Sequence, residues 1–510
     1  MTNLAAALNE NLPIDPLSTA PALPFVEGIF RLEDAPKDLW DDDHRRALGD
    51  AYVSLARTLM PVATGQMQVE ALFQVARYFA YGLELASDNI SADAIEACYS
   101  AAFLYHFAGD QDSCYRWIES AHERRAILIN AHPLGKSGLR FFQTRTGTLT
   151  HFGHLVSEPE FFLKMKVLGL LPEWFQPVLL APNGKVANPA LLEYWKRYLC
   201  VVTDPGLCQL LQPLARDLEY DSCWLRVKEG KPLHLHHAMV KLQDRWDREV
   251  GRPLLSIDEQ HREQGRALLE SLGLPKDRWF VTLHVREQLA GSGNPTEEAF
   301  WTYMNSSAQN YIPAIESIVQ RGGAVVRIGA PHMTPLPSMP FVIDLPHRIP
   351  STDWLDIYCS AECRFFISSA SGPNGAASPW GRPNIWTNIV GTDFYPYGGE
   401  DLFLPKLQYS ERDGRLQTFA EALSPPFTSC VNMHVYAREK VRVLENTPEE
   451  IQGAAIEMMD RMDGKSLYSE RDEILQARFR REALLRSVSG VMNCRVARDF
   501  LRAHSELLPA

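Results

Sequence analysis

One apolar run ends in three residues that can do chemistry: Phe280-Val-Thr-Leu-His284-Val-Arg286-Glu287. The run is strand-sized, and ligands of open α/β sheets bind beyond the carboxyl ends of the strands. An arginine placed there can grip a pyrophosphate through a bidentate, charge-assisted contact. Because side chains alternate along a strand, His284 and Arg286 share one face. The competing reading pairs this arginine with a nearby carboxylate and buries the histidine as a satisfied core residue. A second stretch, Ile367-Ser-Ser-Ala-Ser-Gly-Pro-Asn-Gly375, directly follows another strand-like run. Its small residues, Gly372 among them, let a phosphate approach the backbone, and Pro373 suits the first turn of a helix. That helix would aim its positive end at the anion, with Ser369 and Ser371 adding hydroxyl donors.

Proton transfer needs a base. The loop Gly147-Thr-Leu-Thr-His151-Phe-Gly153-His154 offers His154, neutral near pH 7 and able to take a proton from an acceptor hydroxyl. Glu287 is the other candidate; the competing reading of His154 is a surface histidine in a helix-capping loop. Arg327, at a strand end, is either a second cation for the ligand or an ion-paired core residue. Asp344 ends a further strand and is placed to read a base or ribose. Gly381-Arg-Pro383 closes a helix before the run Asn384–Asn388, whose last residue, Asn388, is placed to reach a cleft. The catalytic set is thus His154, Glu287 and Arg286. The binding set is His284, Arg286, Arg327, Asp344, Ser369, Ser371, Gly372 and Asn388.

Other clusters look like sites and lack a completing partner. Asp41-Asp-Asp43 opens a helix, where acids suit the dipole. His234, His236 and His237 have no carboxylate at ligand spacing, and Cys359 and Cys363 have no second pair nearby. Gly291-Ser-Gly293 does not lead from a strand into a helix, so the dinucleotide fingerprint fails. No metal site is expected.

These residues need elements to hold them, and 510 residues, 45% of them hydrophobic, can bury more than one core. Lys plus Arg is 51 against 63 Asp plus Glu, a net charge of −12 with no basic run, so nucleic acid is not expected as a partner. Nine scattered cysteines suit reduced thiols. The first residues lack a basic region followed by an apolar core, and no apolar stretch approaches the ~18–20 residues of a membrane helix. A cytoplasmic location is expected.

Residues 1–40 read as an extended arm with short helical pieces. Residues 41–132 carry helical periodicity, with an αα-hairpin around Gly109-Asp110 and a small-and-aromatic pattern (Ala94, Cys98, Ala101, Ala102, Tyr105, Tyr115, Ala121) like a tetratricopeptide unit. From residue 133 strands and helices alternate, with Gly147–Gly153 a loop and Glu158–Gly169 a helix, which means parallel sheets. Residues 133–275 read as a first Rossmann-like lobe on the acceptor side. Residues 276–440 read as a second lobe on the nucleotide side, and 441–510 as C-terminal helices. The expected fold class is α/β, with two Rossmann-like lobes and an N-terminal all-α domain.

From about Thr144 onward the chain resembles a family of bacterial glycosyltransferases. The matching pieces include Gly153-His154-Leu155, Leu180-Ala-Pro-Asn-Gly-Lys-Val-Ala-Asn-Pro-Ala-Leu-Leu192 and Phe280-Val-Thr-Leu-His-Val-Arg286. Further pieces are Tyr311-Ile-Pro-Ala-Ile-Glu316, Gly322-Gly-Ala-Val-Val-Arg-Ile-Gly329, Asp353-Trp-Leu-Asp-Ile357, Cys363-Arg-Phe-Phe-Ile367 and Asp401-Leu-Phe-Leu-Pro-Lys-Leu407. More distantly, His284-Val-Arg286 is similar to the His-x-Arg strand end of fucosyltransferases of the GT-B type, where the arginine grips the diphosphate of a GDP-sugar. The resemblance implies a GT-B fold and a nucleotide-sugar donor, GDP- or UDP-linked, bound without an obligatory metal. It also implies a glycan or protein acceptor, which the helical domain could dock. The departures are Glu287, Gln288 and Leu289 after the motif, and Met304-Asn305-Ser306 where a basic residue is expected. They leave the donor sugar open. A nucleotide-sugar epimerase and a non-catalytic scaffold are the rival functions; only the epimerase would turn over donor without acceptor.

Overall fold

The structure is a computed structural model that describes residues 12–66, 68–136, 139–143, 149, 151–170, 176–211, 216–217, 235–287, 302–350, 352–390, 396–424, 426–427, 433–465, 468–486 and 492–509. The chain forms two compact units, 1–139 and 140–510.

The first unit is helical: α1 Leu23–Glu33, α2 Asp42–Gln66, α3 Val69–Leu85, α4 Ala92–Phe107 and α5 Gln111–Ala131. Residues 23–33 of the expected arm are therefore helix. Consecutive helices pack against each other. At the α2–α3 crossing Gly49 faces Gly82, and a Cβ on either would lie 2.6 Å from the other's carbonyl oxygen. Ser91 and Asp110 cap α4 and α5 by accepting from the N–H groups of Ala94 and Ser113.

The second unit holds two parallel sheets. In the first run β1 Leu139–Gln143, α6 Phe152–Val167, β2 Gln176–Leu180, α7 Pro189–Trp195, β3 Cys200–Val202, α8 Pro205–Leu211 and β4 Arg216–Asp217. The strand order is β3-β2-β1-β4, with β2–β3 and β1–β4 pairing parallel. Helices α9 Leu235–Glu249 and α10 Glu259–Ser271 lead onward.

The second series is β5 Phe280–His284, α11 Ile312–Gln320, β6 Ala324–Arg327, β7 Val342–Asp344, α12 Asp353–Glu362, β8 Phe366–Ser369, β9 Asn384–Ile389 and β10 Leu402–Pro405. A small antiparallel sheet, β12-β11-β13, follows (β11 Leu407–Ser410, β12 Arg415–Leu416, β13 Val441–Leu444). The C-terminal segment gives helix α13 Pro448–Met462, which packs on α11, then α14 Glu470–Arg486. It also supplies β14 Arg495–Val496, an edge strand that a purely helical reading of the tail missed.

The resulting seven-stranded sheet runs β14-β10-β9-β8-β5-β6-β7, all parallel. Its strands are apolar almost throughout, as strands covered on both faces must be. Val281, Leu283 and Val285 join one core with α11 and α13, while Phe280 and Phe366 join a second with α12 and with Leu155 and Trp195 of the first lobe. That second core is continuous across the two lobes. Two parallel α/β lobes in one unit are the GT-B arrangement, here read from strand order alone.

Candidate functional site

The seven-stranded sheet reverses direction of growth between β5 and β8: β6 and β7 are added on one side, β8, β9 and β10 on the other. At such a switch point the loops leaving the two strands part and open a crevice. The residues singled out at Phe280–Glu287 and Ile367–Gly375 leave these two strands, whose register pairs His284 with Ser368.

Two side chains staple the crevice. The Ser369 hydroxyl accepts from the Arg286 N–H at 2.8 Å, and the Ser371 hydroxyl lies 3.0 Å from Nδ1 of His284. Ser369 is fully buried, so its oxygen holds the Arg286 backbone in place. Ser371 is half-buried and Gly372 exposed. Burial first, then the charges of Arg327 and Arg286, push the His284 pKa down to about 3. The imidazole is therefore neutral across the physiological range.

Arg286 is the one member with charge to spare. It is half-buried, and burial draws its pKa down. Among the described residues no carboxylate pairs with it, and its buried Nε meets no acceptor. Leaving a buried donor unmade costs about 1–3 kcal/mol, more for a charged group, so the site fits an anion that supplies the missing oxygens. The wall beside it is the segment 302–311. Ser306 N–H donates to the Arg286 carbonyl at 3.0 Å. The buried Lys406 ammonium donates to the carbonyls of Tyr303 and Asn305 at 2.8 and 2.9 Å, and burial pulls its pKa down to about 8. Glu445 accepts from Ser307 N–H and from the Asn310 amide. Neither Lys406 nor Glu445 was foreseen; no local motif marks a residue that acts across 100 positions of chain.

Arg327 behaves differently. It is fully buried, with Nη2 2.9 Å from Glu287 and Nη1 3.6 Å from Asp344, and it donates to the Thr334 carbonyl. Glu287 also accepts from Thr334 N–H, and Asp344 from Leu336 N–H and His347. Arg327, Glu287 and Asp344 thus form one ion-paired knot that holds the 330–336 loop. Asn388 is likewise committed elsewhere: fully buried, at φ 57°, it exchanges two backbone–side-chain hydrogen bonds with Asn446 and donates to the Tyr311 hydroxyl. It pins β9 to the chain before α13 and does not reach the crevice.

The expected helix after Ser371 is absent. Gly372–Gly375 forms one 3₁₀ turn, in which Ser371 N–H donates to the Asn374 side chain and Asn374 N–H to the Ser371 carbonyl. Trp386 holds the turn by donating its indole N–H to the Asn374 carbonyl. Positive potential at the crevice therefore rests on Arg286, because a four-residue turn has no appreciable macrodipole.

His154 comes to this turn from the first lobe. Part of its expected loop, residues 144–148 and 150, lies outside the described residues, but α6 begins at Phe152, so His154 sits in the first helical turn. The reason is a repair of Pro159. This proline cannot donate to the Leu155 carbonyl, and the Trp195 indole N–H donates to it instead at 2.9 Å. With the carbonyl satisfied, the helix continues through the proline. One turn on, the buried Glu158 carboxylate accepts at 2.9 Å from Nδ1 of His154. The spacing i, i+4 would have shown this partner had the helix been started early enough. Gly153 rests on Gly372: a Cβ added there would lie 2.7 Å from the Gly372 carbonyl oxygen. His154 with Glu158, His284 with Ser371, and Arg286 with Ser369 thus gather at one crevice, while Arg327, Asp344, Glu287 and Asn388 are held in internal networks. Of the remaining clusters, His234 and Gly291–Gly293 lie outside the described residues.

Neither a family model nor a curated protein matches the chain. Among solved structures it is similar to a glycosyl transferase family 9 protein from Veillonella parvula, at 14% identity over 52% of this chain and 85% of that one, with a TM-score of 0.33. It is also similar to the E. coli ADP-heptose lps heptosyltransferase II, at 13% identity over 52% of this chain and 89% of that one, with a TM-score of 0.32. The α/β fold is defined by the order and direction of the strands.

Proposed function

We propose that this chain is a glycosyltransferase that moves a sugar from a nucleotide-sugar donor to a hydroxyl of a glycan or protein acceptor. The observation that carries the reading is Arg286: a half-buried guanidinium at the switch point, without a carboxylate partner among the described residues and with its Nε lacking an acceptor. A diphosphate supplies both the charge and the oxygens that this group lacks. As the bond from sugar to phosphate breaks, negative charge grows on the leaving diphosphate, and a cation already fixed in place stabilises it without reorganisation. The Ser371 hydroxyl and the exposed Gly372 backbone border the same space, and Lys406 keeps its wall in position.

His154, held by Glu158, is the proton acceptor for the incoming nucleophile in this reading. A buried glutamate at Nδ1 fixes the tautomer and stabilises the imidazolium as it forms, leaving Nε2 as the base. Glu287, bound to Arg327, serves as a structural carboxylate. A GDP- or UDP-sugar is the donor class, transfer runs without a required metal, and the helical first unit, tetratricopeptide-like, docks the acceptor.

The test is donor binding and turnover by Arg286→Ala. A panel of GDP-, UDP- and CMP-sugars should raise the melting temperature of the wild type; a ligand at ~100 Kd adds about 2.7 kcal/mol. Arg286→Ala should melt like the wild type without ligand, yet lose the ligand shift and at least ~100-fold in transfer, the size expected for one preorganised donor. Wild-type donor affinity in the variant would refute the reading.

A further inference from the structure

One cavity of the second unit lies away from Arg286. A cleft of about 470 Å³ lies between α6 and α9, the 252–257 connection, the end of α12 and the stretch Trp380–Arg382. Ala361 and Glu362 precede β8 and Arg382 precedes β9. Because the strands are parallel, the cleft lies at the amino ends of the sheet, opposite the carboxyl ends that carry Arg286. Its volume falls in the ~300–1,000 Å³ range of small-molecule sites.

Its lining is apolar with an excess of positive charge. Trp246 forms a wall and ties in the connection by donating its indole N–H to the Arg252 carbonyl at 2.8 Å. Tyr198, at the rim, is 42% exposed, an aromatic ring left partly in water. Three guanidiniums, of Arg252, Arg262 and Arg382, face one carboxylate, Glu362. Glu362 is shared at 3.3 Å with Arg262 and 3.8 Å with Arg382, and Arg262 also holds Glu259. Three cations against Glu362 and Glu259 leave one positive charge. It resides on Arg252, which has no carboxylate partner among the described residues.

We propose that this cleft is a second ligand site, which takes a small organic anion: one carboxylate or phosphate group on Arg252, with a flat apolar body against Trp246 and Tyr198. Because its walls come from α6 and α9, from the connection and from the second lobe, an occupant bridges both lobes. The site does not depend on the transferase reading. Its occupant differs from a nucleotide-sugar in needing an apolar body and one anionic group in place of a diphosphate.

The test is calorimetric titration of the full chain with phenyl phosphate and with benzoate, against inorganic phosphate and benzyl alcohol as half-ligands. The wild type and Arg286→Ala should bind at least one of the two full probes saturably with equal affinity, and each half-ligand at least ten-fold more weakly. Arg252→Gln should weaken the full probe at least ten-fold, and Tyr198→Ala at least three-fold. Both positions are exposed, so both variants should melt like the wild type. The proposal is overturned by no saturable binding of either probe, by wild-type affinity in Arg252→Gln, or by loss of binding in Arg286→Ala. Inorganic phosphate binding as well as phenyl phosphate also overturns it. An Arg286→Ala variant that loses nucleotide-sugars but keeps phenyl phosphate separates the two sites.

Discussion

Arg286 and Arg327 stand at the ends of two neighbouring strands, β5 and β6, yet only one can serve a ligand. Arg327 has Glu287 at 2.9 Å and Asp344 at 3.6 Å, and is fully buried, so its charge is spent on the fold. Arg286 has no carboxylate partner among the described residues. His284 stands between these two cations, which together with burial hold its pKa near 3 instead of 6.5. A histidine whose folded pKa is depressed binds fewer protons than the unfolded chain between these values. Its neutral state supports the fold fully above pH 6.5, and that support is lost as the pH falls toward 3. His284→Gln removes this titration. Between pH 7 and 5 the wild type should therefore lose on the order of 2 kcal/mol more unfolding free energy than the variant, measured by urea denaturation. Parallel losses in both proteins would show that the imidazole titrates in the fold as it does in the unfolded chain.

Helix α6 carries the base to the crevice, and its start decides where His154 stands. A proline eight residues into the helix would ordinarily argue for a later beginning, as the sequence suggests. Trp195 reverses that by satisfying the Leu155 carbonyl from another helix. The same helix meets the Gly372 turn through Gly153. Ala in place of Gly gains up to ~1 kcal/mol in helix propensity. Here its Cβ would lie 2.7 Å from a carbonyl oxygen, and such overpacking typically costs 1–3 kcal/mol. Gly153→Ala should thus lower the melting temperature and weaken any nucleotide-sugar shift, since the Gly372 turn must give way. A raised melting temperature with the ligand shift intact would mean that this contact is loose.

At the scale of the molecule, the chain divides at residue 139 into a helical unit and an α/β unit. The α/β unit is not divisible in the same way, since one apolar cluster runs from Leu155 and Trp195 into Phe366 and Trp380. An inter-lobe polar contact reinforces it: Ser378 donates at 2.9 Å to Glu160, whose carboxylate the buried Lys164 of the same helix holds at 2.6 Å. Scanning calorimetry of the whole chain should show two transitions, one per unit, with the two lobes melting together. A bound nucleotide-sugar should raise only the transition of residues 140–510. A separate transition for residues 140–275 would contradict the shared core.

The α/β class, the parallel strands and the residues at the ends of β5 and β8 were legible in the sequence, because apolar runs, glycine stops and strand-end positions are local properties of the chain. Which arginine keeps its charge for a ligand was not. Arg286 and Arg327 occupy equivalent strand-end positions, and only the fold brings Glu287 and Asp344 to one of them. Likewise the early start of α6, the edge strand β14 and the Lys406 clamp depend on partners tens to hundreds of residues away. Local pattern sets what each segment can become; pairing of charges and buried carbonyls across the chain decides which of those forms is kept.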